Sequence, residues 1–187
     1  MSFKPDCSSS FSFSKGPLLI IGYGNTLRGD DGVGPKVAER IATLSLPGVQ
    51  TLSCGLLTPE LADPIAQAQV VVFVDAALDG SREVQLRKLA PAASSQIIAH
   101  AAEPGVLLAL ARDIFGHAPD AWWLTIPIKS TAIGEEFSLM AMQGAARAID
   151  MIKDSFGVGQ HTRVGKPGLS LLNEWCWKTS AHPGPSG

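Results

Sequence analysis

The sequence predicts an α/β fold, a three-layer sandwich in which a mostly parallel, twisted five-stranded sheet lies between helices on both faces. Two observations predict it. Short runs rich in β-branched and aromatic residues alternate with longer segments whose apolar residues recur at helical spacing. Two of these runs, residues 18–22 and 70–75, are apolar almost throughout, which is typical of strands covered on both faces. This alternation indicates right-handed crossovers between parallel strands.

Each predicted element has its own local signals. The first helix begins near residues 32–34, because Pro35 is tolerated only in a helix's first turn. The second opens at Thr58, with Pro59 at its first position. Two more helices are predicted at residues 103–115 and 138–156. The five predicted strands are residues 18–22, 49–53, 70–75, 84–89 and 123–127.

One folded domain is expected. The chain has 187 residues, of which 45% are hydrophobic, enough for a single well-buried domain. We expect residues 1–16 to be a flexible N-terminal extension and residues 17–156 to form the domain. Residues 157–187 are expected to be a partly disordered tail that contains one apolar patch at 169–177, a candidate extra helix.

Composition excludes several classes of function. A formal net charge of -2 gives no electrostatic footprint for nucleic acid. No apolar run approaches the roughly 18 residues needed to span a bilayer. The first 16 residues lack the apolar core of a signal peptide, and Cys7, Cys54 and Cys176 suggest neither a disulfide framework nor a zinc site. We therefore expect a cytoplasmic protein without nucleic-acid or membrane partners.

The most informative segment is the loop after the first strand, Gly22-Tyr-Gly-Asn-Thr-Leu-Arg-Gly-Asp-Asp-Gly-Val-Gly34. In open α/β sheets, ligands bind where such loops leave the carboxyl ends of the strands. A dinucleotide fingerprint is excluded because Leu27 stands where its third glycine belongs, and a P-loop is excluded because Asp30 follows Gly29. Two adjacent carboxylates repel phosphate, so the loop favours a cation or a proton-transfer role.

The two aspartates of this loop are expected to differ in role. We assign Asp30 to capping the helix that follows, since aspartate is a favoured N-cap residue. This leaves Asp31 in the mouth of the loop without an obvious structural task.

Two further side chains are expected near Asp31. Asp75 ends the buried third strand, and parallel strands bring their carboxyl ends to one edge, although a local capping role for Asp75 is an equally simple alternative. His100 precedes the third helix, where a lone histidine is more often structural than a ligand. Neighbouring carboxylates share a proton or bind a cation. Two carboxylates and one imidazole, with an open position, form a set that binds divalent metals.

Taken together, these motifs resemble those of the hydrogenase maturation endopeptidases, which process the large subunit of nickel–iron hydrogenases. The resemblance rests on Gly22-Tyr-Gly-Asn25 followed by Asp30-Asp31-Gly-Val-Gly34, and on the strand that ends Val74-Asp75-Ala76. It also rests on His100 with its downstream Pro-x-x-Leu-Leu, and on Ile133-Gly-Glu-Glu-Phe-Ser138 before the last helix. The motifs follow the family's order over about residues 17–155.

The resemblance implies that Asp31, Asp75 and His100 are the catalytic residues and bind nickel. It also implies that the nickel comes with the partner, a nickel-containing hydrogenase large-subunit precursor, from which a short C-terminal peptide is removed. Other divalent cations are expected to substitute for nickel in vitro. The metal would position the substrate or polarise the scissile carbonyl or a water. The family uses no Ser or Cys nucleophile, and this sequence has no G-x-S-x-G elbow.

Two alternative functions are compatible with the same residues. The first is a different metal-dependent hydrolase on the same sheet, since fold does not fix function. The second is a binding module in which the glycine-rich loop holds a small ligand and the carboxylates serve as caps.

Overall fold

The computed structural model describes residues 17–93, 103–134 and 136–159. The predicted N-terminal extension, most of the predicted tail with its apolar patch, and His100 lie outside these residues. No helix in the described ranges is long and apolar enough to cross a membrane.

In the described part of the chain, five strands form one sheet in the order β2-β1-β3-β5-β4. The neighbours among β2, β1, β3 and β5 pair in parallel, while β4 lies at one edge and is antiparallel to β5. The predicted fold class, with its mostly parallel sheet, is therefore confirmed. The strands are β1 Leu18–Tyr23, β2 Val49–Cys54, β3 Val70–Ala77, β4 Gln85–Leu89 and β5 Asp120–Pro127.

Four α-helices are present in the described ranges, and local signals set their ends. Ser138 accepts a hydrogen bond from the Ala141 amide and caps the last helix, which ends at Gly157 in a left-handed conformation with φ 62°. Gly116 ends the third helix in the same way. The helices are α1 Val33–Thr43, α2 Ala62–Gln67, α3 Pro104–Phe115 and α4 Leu139–Phe156.

The segment after Thr58 differs from its prediction as one continuous helix. Residues Pro59–Leu61 form a 3₁₀ turn, and α2 follows only from Ala62. Pro64 supplies the physical reason. Because proline has no amide hydrogen, an α-helix begun at residue 59 would lose its bond at 64, whereas Pro64 in the first turn of α2 costs nothing.

The sheet has two separate hydrophobic cores, one on each face. Successive side chains of a strand point to opposite faces, so Ile20 and Val72 pack on the side of α1 and α4, while Ile21 and Phe73 pack on the side of α2 and α3. Each of these side chains is fully buried, which stabilises the fold by roughly 1.5–3 kcal/mol per large apolar residue. Both faces are covered, as the continuous apolar strands predict.

Glycines let the start of α1 rest directly on the sheet. A Cβ atom on Gly34 would lie only 2.5 Å from the backbone oxygens of Tyr23 and Val74, and one on Gly22 would collide with the backbone oxygen of Gly34. The helix thus begins over the carboxyl ends of β1 and β3. The preceding 3₁₀ turn, Gly29–Gly32, which contains Asp30 and Asp31, is held at the same edge.

Candidate active site

Asp75 lies near the end of β3, on the face that also carries Phe73. The strand continues past it to Ala77, so Asp75 is not the last residue of the strand as the sequence indicated. From the neighbouring β1, the hydroxyl of Tyr23 donates to Asp75 Oδ2 at 2.8 Å. One oxygen of the carboxylate is thereby fixed in direction.

The charge of Asp75 is disfavoured by its surroundings. Burial raises the pKa of this carboxyl above its ordinary value of 3.8, and the nearby charge of Asp31 raises it further. The Tyr23 hydroxyl and the Ala76 amide act in the opposite direction. Burial and the charge of Asp75 also raise the pKa of Tyr23, so Tyr23 is a neutral hydrogen-bond donor over the working pH range.

The indole of Trp123 also faces this pair. Its N–H lowers the pKa of Asp75 and of Tyr23, yet its Nε1 atom is buried and meets no partner among the described residues at hydrogen-bond distance and angle. The indole N–H therefore lies near the pair without a well-aligned hydrogen bond to it. On its outer side, the guanidinium of Arg87 lies 5.6 Å from the centre of the Trp123 ring.

Asp31 is half-buried and held within its own loop. Its Oδ2 atom accepts a hydrogen bond from the Asn25 amide at 2.8 Å, so Asp31 has the structural task that the sequence reading did not find. The other carboxylate oxygen has no hydrogen-bond partner in the described residues. Asp31 is thus an oriented carboxylate with one oxygen open to a cation.

The prediction that Asp30 caps α1 is wrong. Neither the 3₁₀ turn nor α1 has a side-chain cap. Asp30 is only 4% exposed, and its carboxylate accepts from the amide of Ser138 at 2.6 Å, from the Ser138 hydroxyl at 2.7 Å and from the amide of Lys129 at 3.1 Å. These donors lie 99 and 108 residues further along the chain, beyond the range of any local capping pattern.

Backbone hydrogen bonds join the same two loops. The amide of Gly29 donates to the carbonyl of Gly134 at 2.6 Å, and the amide of Gly134 donates to the carbonyl of Leu27 at 3.0 Å. Together with the Asp30 contacts, they tie the β1–α1 loop to the β5–α4 loop. We call this set of bonds the loop clamp. It holds the backbone from which Asp31 projects.

The structure therefore describes two of the three predicted site residues. Asp31 and Asp75 lie close enough for the charge of one to raise the pKa of the other, whereas His100 lies outside the described residues. Within the described ranges, no group of three Cys, His, Asp or Glu side chains could hold a metal ion. Two repelling carboxylates, one of them with an open oxygen, are nevertheless a donor pair that a cation stabilises.

Cys54 is not an activated nucleophile. Its thiol is half-buried and contacts the Gly22 carbonyl at 3.8 Å. Burial raises the pKa of this thiol, which disfavours the reactive thiolate. The structure thus agrees with a mechanism that has no cysteine nucleophile.

Comparison with solved structures shows which proteins the chain resembles. Neither protein-family models nor curated sequences match the chain. The crystal structure of the [NiFe] hydrogenase maturation protease HycI from Thermococcus kodakarensis KOD1 is 28% identical and has a TM-score of 0.61. The match covers 78% of this chain and 96% of that one. In both sequence and fold, the chain resembles the hydrogenase maturation proteases.

More distant relatives share the fold. The hydrogenase 2 maturation peptidase from Thaumarchaeota archaeon SCGC_AB-539-E09 is 21% identical, with a TM-score of 0.56; the match covers 75% of this chain and 98% of that one. The maturating endopeptidase HybD from E. coli is 16% identical, with a TM-score of 0.58; the match covers 76% and 94%. The likeness to named proteases and endopeptidases identifies the chain as a hydrolase.

Sequence reasoning missed Tyr23 and the real task of Asp30. Tyr23 could have been found, because it alternates with Leu19 and Ile21 on the face of β1 that adjoins Asp75. The partners of Asp30 carried no comparable signal, since a buried carboxylate and a surface cap look alike in a Gly-Asp-Asp-Gly segment.

Proposed function

We propose that this protease removes the C-terminal extension of a nickel–iron hydrogenase large-subunit precursor after nickel insertion, and that it engages the metal through Asp31, Asp75 and His100. One observation carries the proposal. The charges of Asp31 and Asp75 interact at the carboxyl edge of a sheet whose fold is that of hydrogenase maturation proteases.

In this proposal nickel is part of the substrate, and it arrives with the precursor. The open oxygen of Asp31 and the carboxylate of Asp75 approach it, and its charge relieves their mutual repulsion. Tyr23 keeps the carboxylate of Asp75 in a fixed orientation. The bound metal positions the C-terminal segment or polarises the scissile carbonyl or a water. His100 supplies an imidazole ligand, other divalent cations substitute in vitro, and the reaction takes place in the cytoplasm.

The geometry disfavours the small-ligand alternative. In that reading the carboxylates serve as helix caps, but neither the 3₁₀ turn nor α1 is capped by a side chain. Asp31 and Asp75 instead keep interacting charges at one edge of the sheet, an arrangement that suits a cation better than a neutral ligand.

The test is processing of a nickel-loaded precursor, followed by the change in mass of the large subunit. We expect the wild-type protein to release the peptide, and we expect Asp31→Asn, Asp75→Asn and His100→Ala to abolish release. The exposed Asp150 on α4 gives a matched control, since Asp150→Asn removes one charge away from the site. Metal-free precursor should remain uncut.

Two outcomes would contradict the proposal in different ways. If the wild-type protein left every nickel-loaded precursor intact, the proposed activity would be wrong. Normal processing by both the Asp31 and the Asp75 variants would leave a protease whose metal engagement lies elsewhere.

A further inference from the structure

A second concave site lies on the other side of the sheet from Asp75. It is a cavity of about 310 Å³ between the end of β5, the segment before β4 and the first turns of α4. Its floor is apolar, with Val84, Pro127 and Met140, and Leu139 stands exposed at its edge. Neither the mechanism nor the loop clamp uses this floor.

Three cations surround the cavity. Arg82, Lys129 and Arg147 all contribute to its lining, together with the amide of Gln143. None of the three cations forms an ion pair within the described ranges, although cations elsewhere do, such as Lys36 with Glu39 and Lys88 with Asp120.

This grouping does not reflect a generally basic protein, because the whole chain has a net charge of -2. Like charges around one cavity repel each other, and a bound anion relieves the repulsion. Two of the three are arginines, whose planar guanidinium binds a carboxylate through two parallel hydrogen bonds. The apolar floor suits an aliphatic part beside that anionic group.

The cavity lies within reach of a peptide held at Asp75. Pro127 pairs with Ala77, whereas Asp75 pairs with Thr125, so the cavity starts one strand across and two residues beyond Asp75. With a strand spacing of about 4.8 Å, a rise of about 3.3 Å per residue and a layer spacing of about 10 Å, the separation is about 13 Å. Because the sheet lies between, a peptide must pass over its carboxyl edge, so at least about four extended residues are needed to reach the cavity.

We propose that this cavity, the basic pocket, binds a carboxylate of the peptide segment that the protease removes. The inference rests on the proposed function and adds to it an anchoring site for the leaving segment. The carboxylate belongs either to the C-terminus of the precursor or to an acidic side chain of its extension. Both present the same chemistry to the pocket.

Kinetics with pocket variants test the proposal. In Arg82→Gln/Arg147→Gln, we expect the KM for nickel-loaded precursor to rise about tenfold or more, because two charge-assisted contacts are lost, while kcat stays within about twofold. The matched control is Arg40→Gln/Arg112→Gln, which changes the net charge equally on α1 and α3, away from the pocket. An equal KM for the two double variants would overturn the proposal.

Peptide binding tests the pocket without relying on cleavage. A synthetic extension peptide should bind the wild-type protein, and the pocket variant should bind it about tenfold more weakly. Weaker binding after amidation of the C-terminus alone identifies the terminal carboxylate. Weaker binding after replacement of the acidic side chains alone identifies those. If neither change weakens binding, if the peptide fails to bind, or if inorganic phosphate competes as well as the peptide, the proposal is wrong.

A charge exchange gives the sharpest form of the test. Arg147→Glu should weaken peptide binding further. Where the recognised acid is a side chain, a peptide with lysine in its place should recover at least part of the loss. If the wild-type protein cut no precursor, the proposed function would be wrong. The pocket proposal would still be tested separately by the binding measurements.

Discussion

We assign Asp75 a role in catalysis, yet its carboxylate lies in an unfavourable environment. Burial and the charge of Asp31 both raise its pKa. A carboxyl whose pKa is higher in the folded than in the unfolded state destabilises the fold at any pH above the folded pKa. That penalty decreases as the pH falls through the raised value and is absent below about the ordinary value of 3.8. Functional sites often carry such a cost in stability.

We therefore predict that Asp75→Asn raises the melting temperature at neutral pH while it abolishes processing. The asparagine oxygen still accepts from Tyr23, but the disfavoured charge is gone. Thermal unfolding between pH 8 and pH 4 checks the sign, because the gap between variant and wild type should narrow as the pH falls. A variant that is less stable than wild type at pH 7 would contradict the assignment of burial as the main cause.

Substitutions of Asp30 and Asp31 should affect different properties, stability in the first case and activity in the second. In Asp30→Asn an amide NH₂ replaces one acceptor and faces a donor of Ser138 or Lys129, which should lower the free energy of unfolding by about 1–3 kcal/mol. Processing should persist wherever this variant stays folded. Asp31→Asn keeps an acceptor for the Asn25 amide, so its stability should stay near wild type while processing is lost.

Urea unfolding and precursor cleavage on the same two proteins check this prediction. If the Asp31 variant were unstable and active, and the Asp30 variant stable and inactive, the two roles would be reversed.

At the scale of single residues, sequence reasoning reached the side chains whose positions follow from strand order. Asp31 and Asp75 share an edge because β1 and β3 are parallel neighbours, and the sequence indicated both strands. The partners of Asp30 could not be reached in this way. They depend on how two loops meet after folding. The residues next to Lys129 and Ser138 in the sequence do not indicate that either one binds Asp30.

At the scale of elements, the contact between α1 and the sheet is made by backbone rather than by side chains. Gly34 lies against the carbonyls of Tyr23 and Val74, which belong to two different strands. Helix propensity alone would favour alanine at this position by about 1 kcal/mol. The packing reverses that preference, because a backbone carbonyl cannot turn aside as a flexible side chain can.

Gly34→Ala should accordingly lower the free energy of unfolding by about 1–3 kcal/mol or more, and it should impair processing by displacing the turn that contains Asp31. Gly55→Ala is the matched control, since an added Cβ there meets nothing within 4 Å. Denaturant unfolding of both variants measures the difference. Equal stabilities would show that α1 can move away from the sheet at little cost.

Element boundaries were predictable where proline or glycine sets them. Pro104 begins α3, and Gly157 ends α4. The split between the 3₁₀ turn and α2 required attention to Pro64, whose missing amide acts within the predicted helix rather than at its end. The direction of the edge strand β4 depends on its pairing with β5, which its residue pattern does not specify.

At the scale of the whole molecule, the domain begins with contacts made by Pro17 and Leu18. The carbonyl of Pro17 accepts from Gln69, and the amide of Leu18 donates to Gly48. Deleting residues 1–15 preserves both contacts, so we predict unchanged thermal stability and unchanged processing. Melting curves and cleavage of the same precursor measure the effect. Loss of stable protein would place those residues in the core.

The loop clamp can form only late in translation, because its two halves lie far apart in the sequence. A chain that leaves the ribosome from its N-terminus presents Asp31 and Asp75 early, but the donors from Ser138 follow Asp30 by 108 residues. Until that stretch has emerged, nothing holds the β1–α1 loop against its distant partner. A nascent or prematurely terminated polypeptide therefore carries Asp31 in an untethered loop until residues 129–138 have been made.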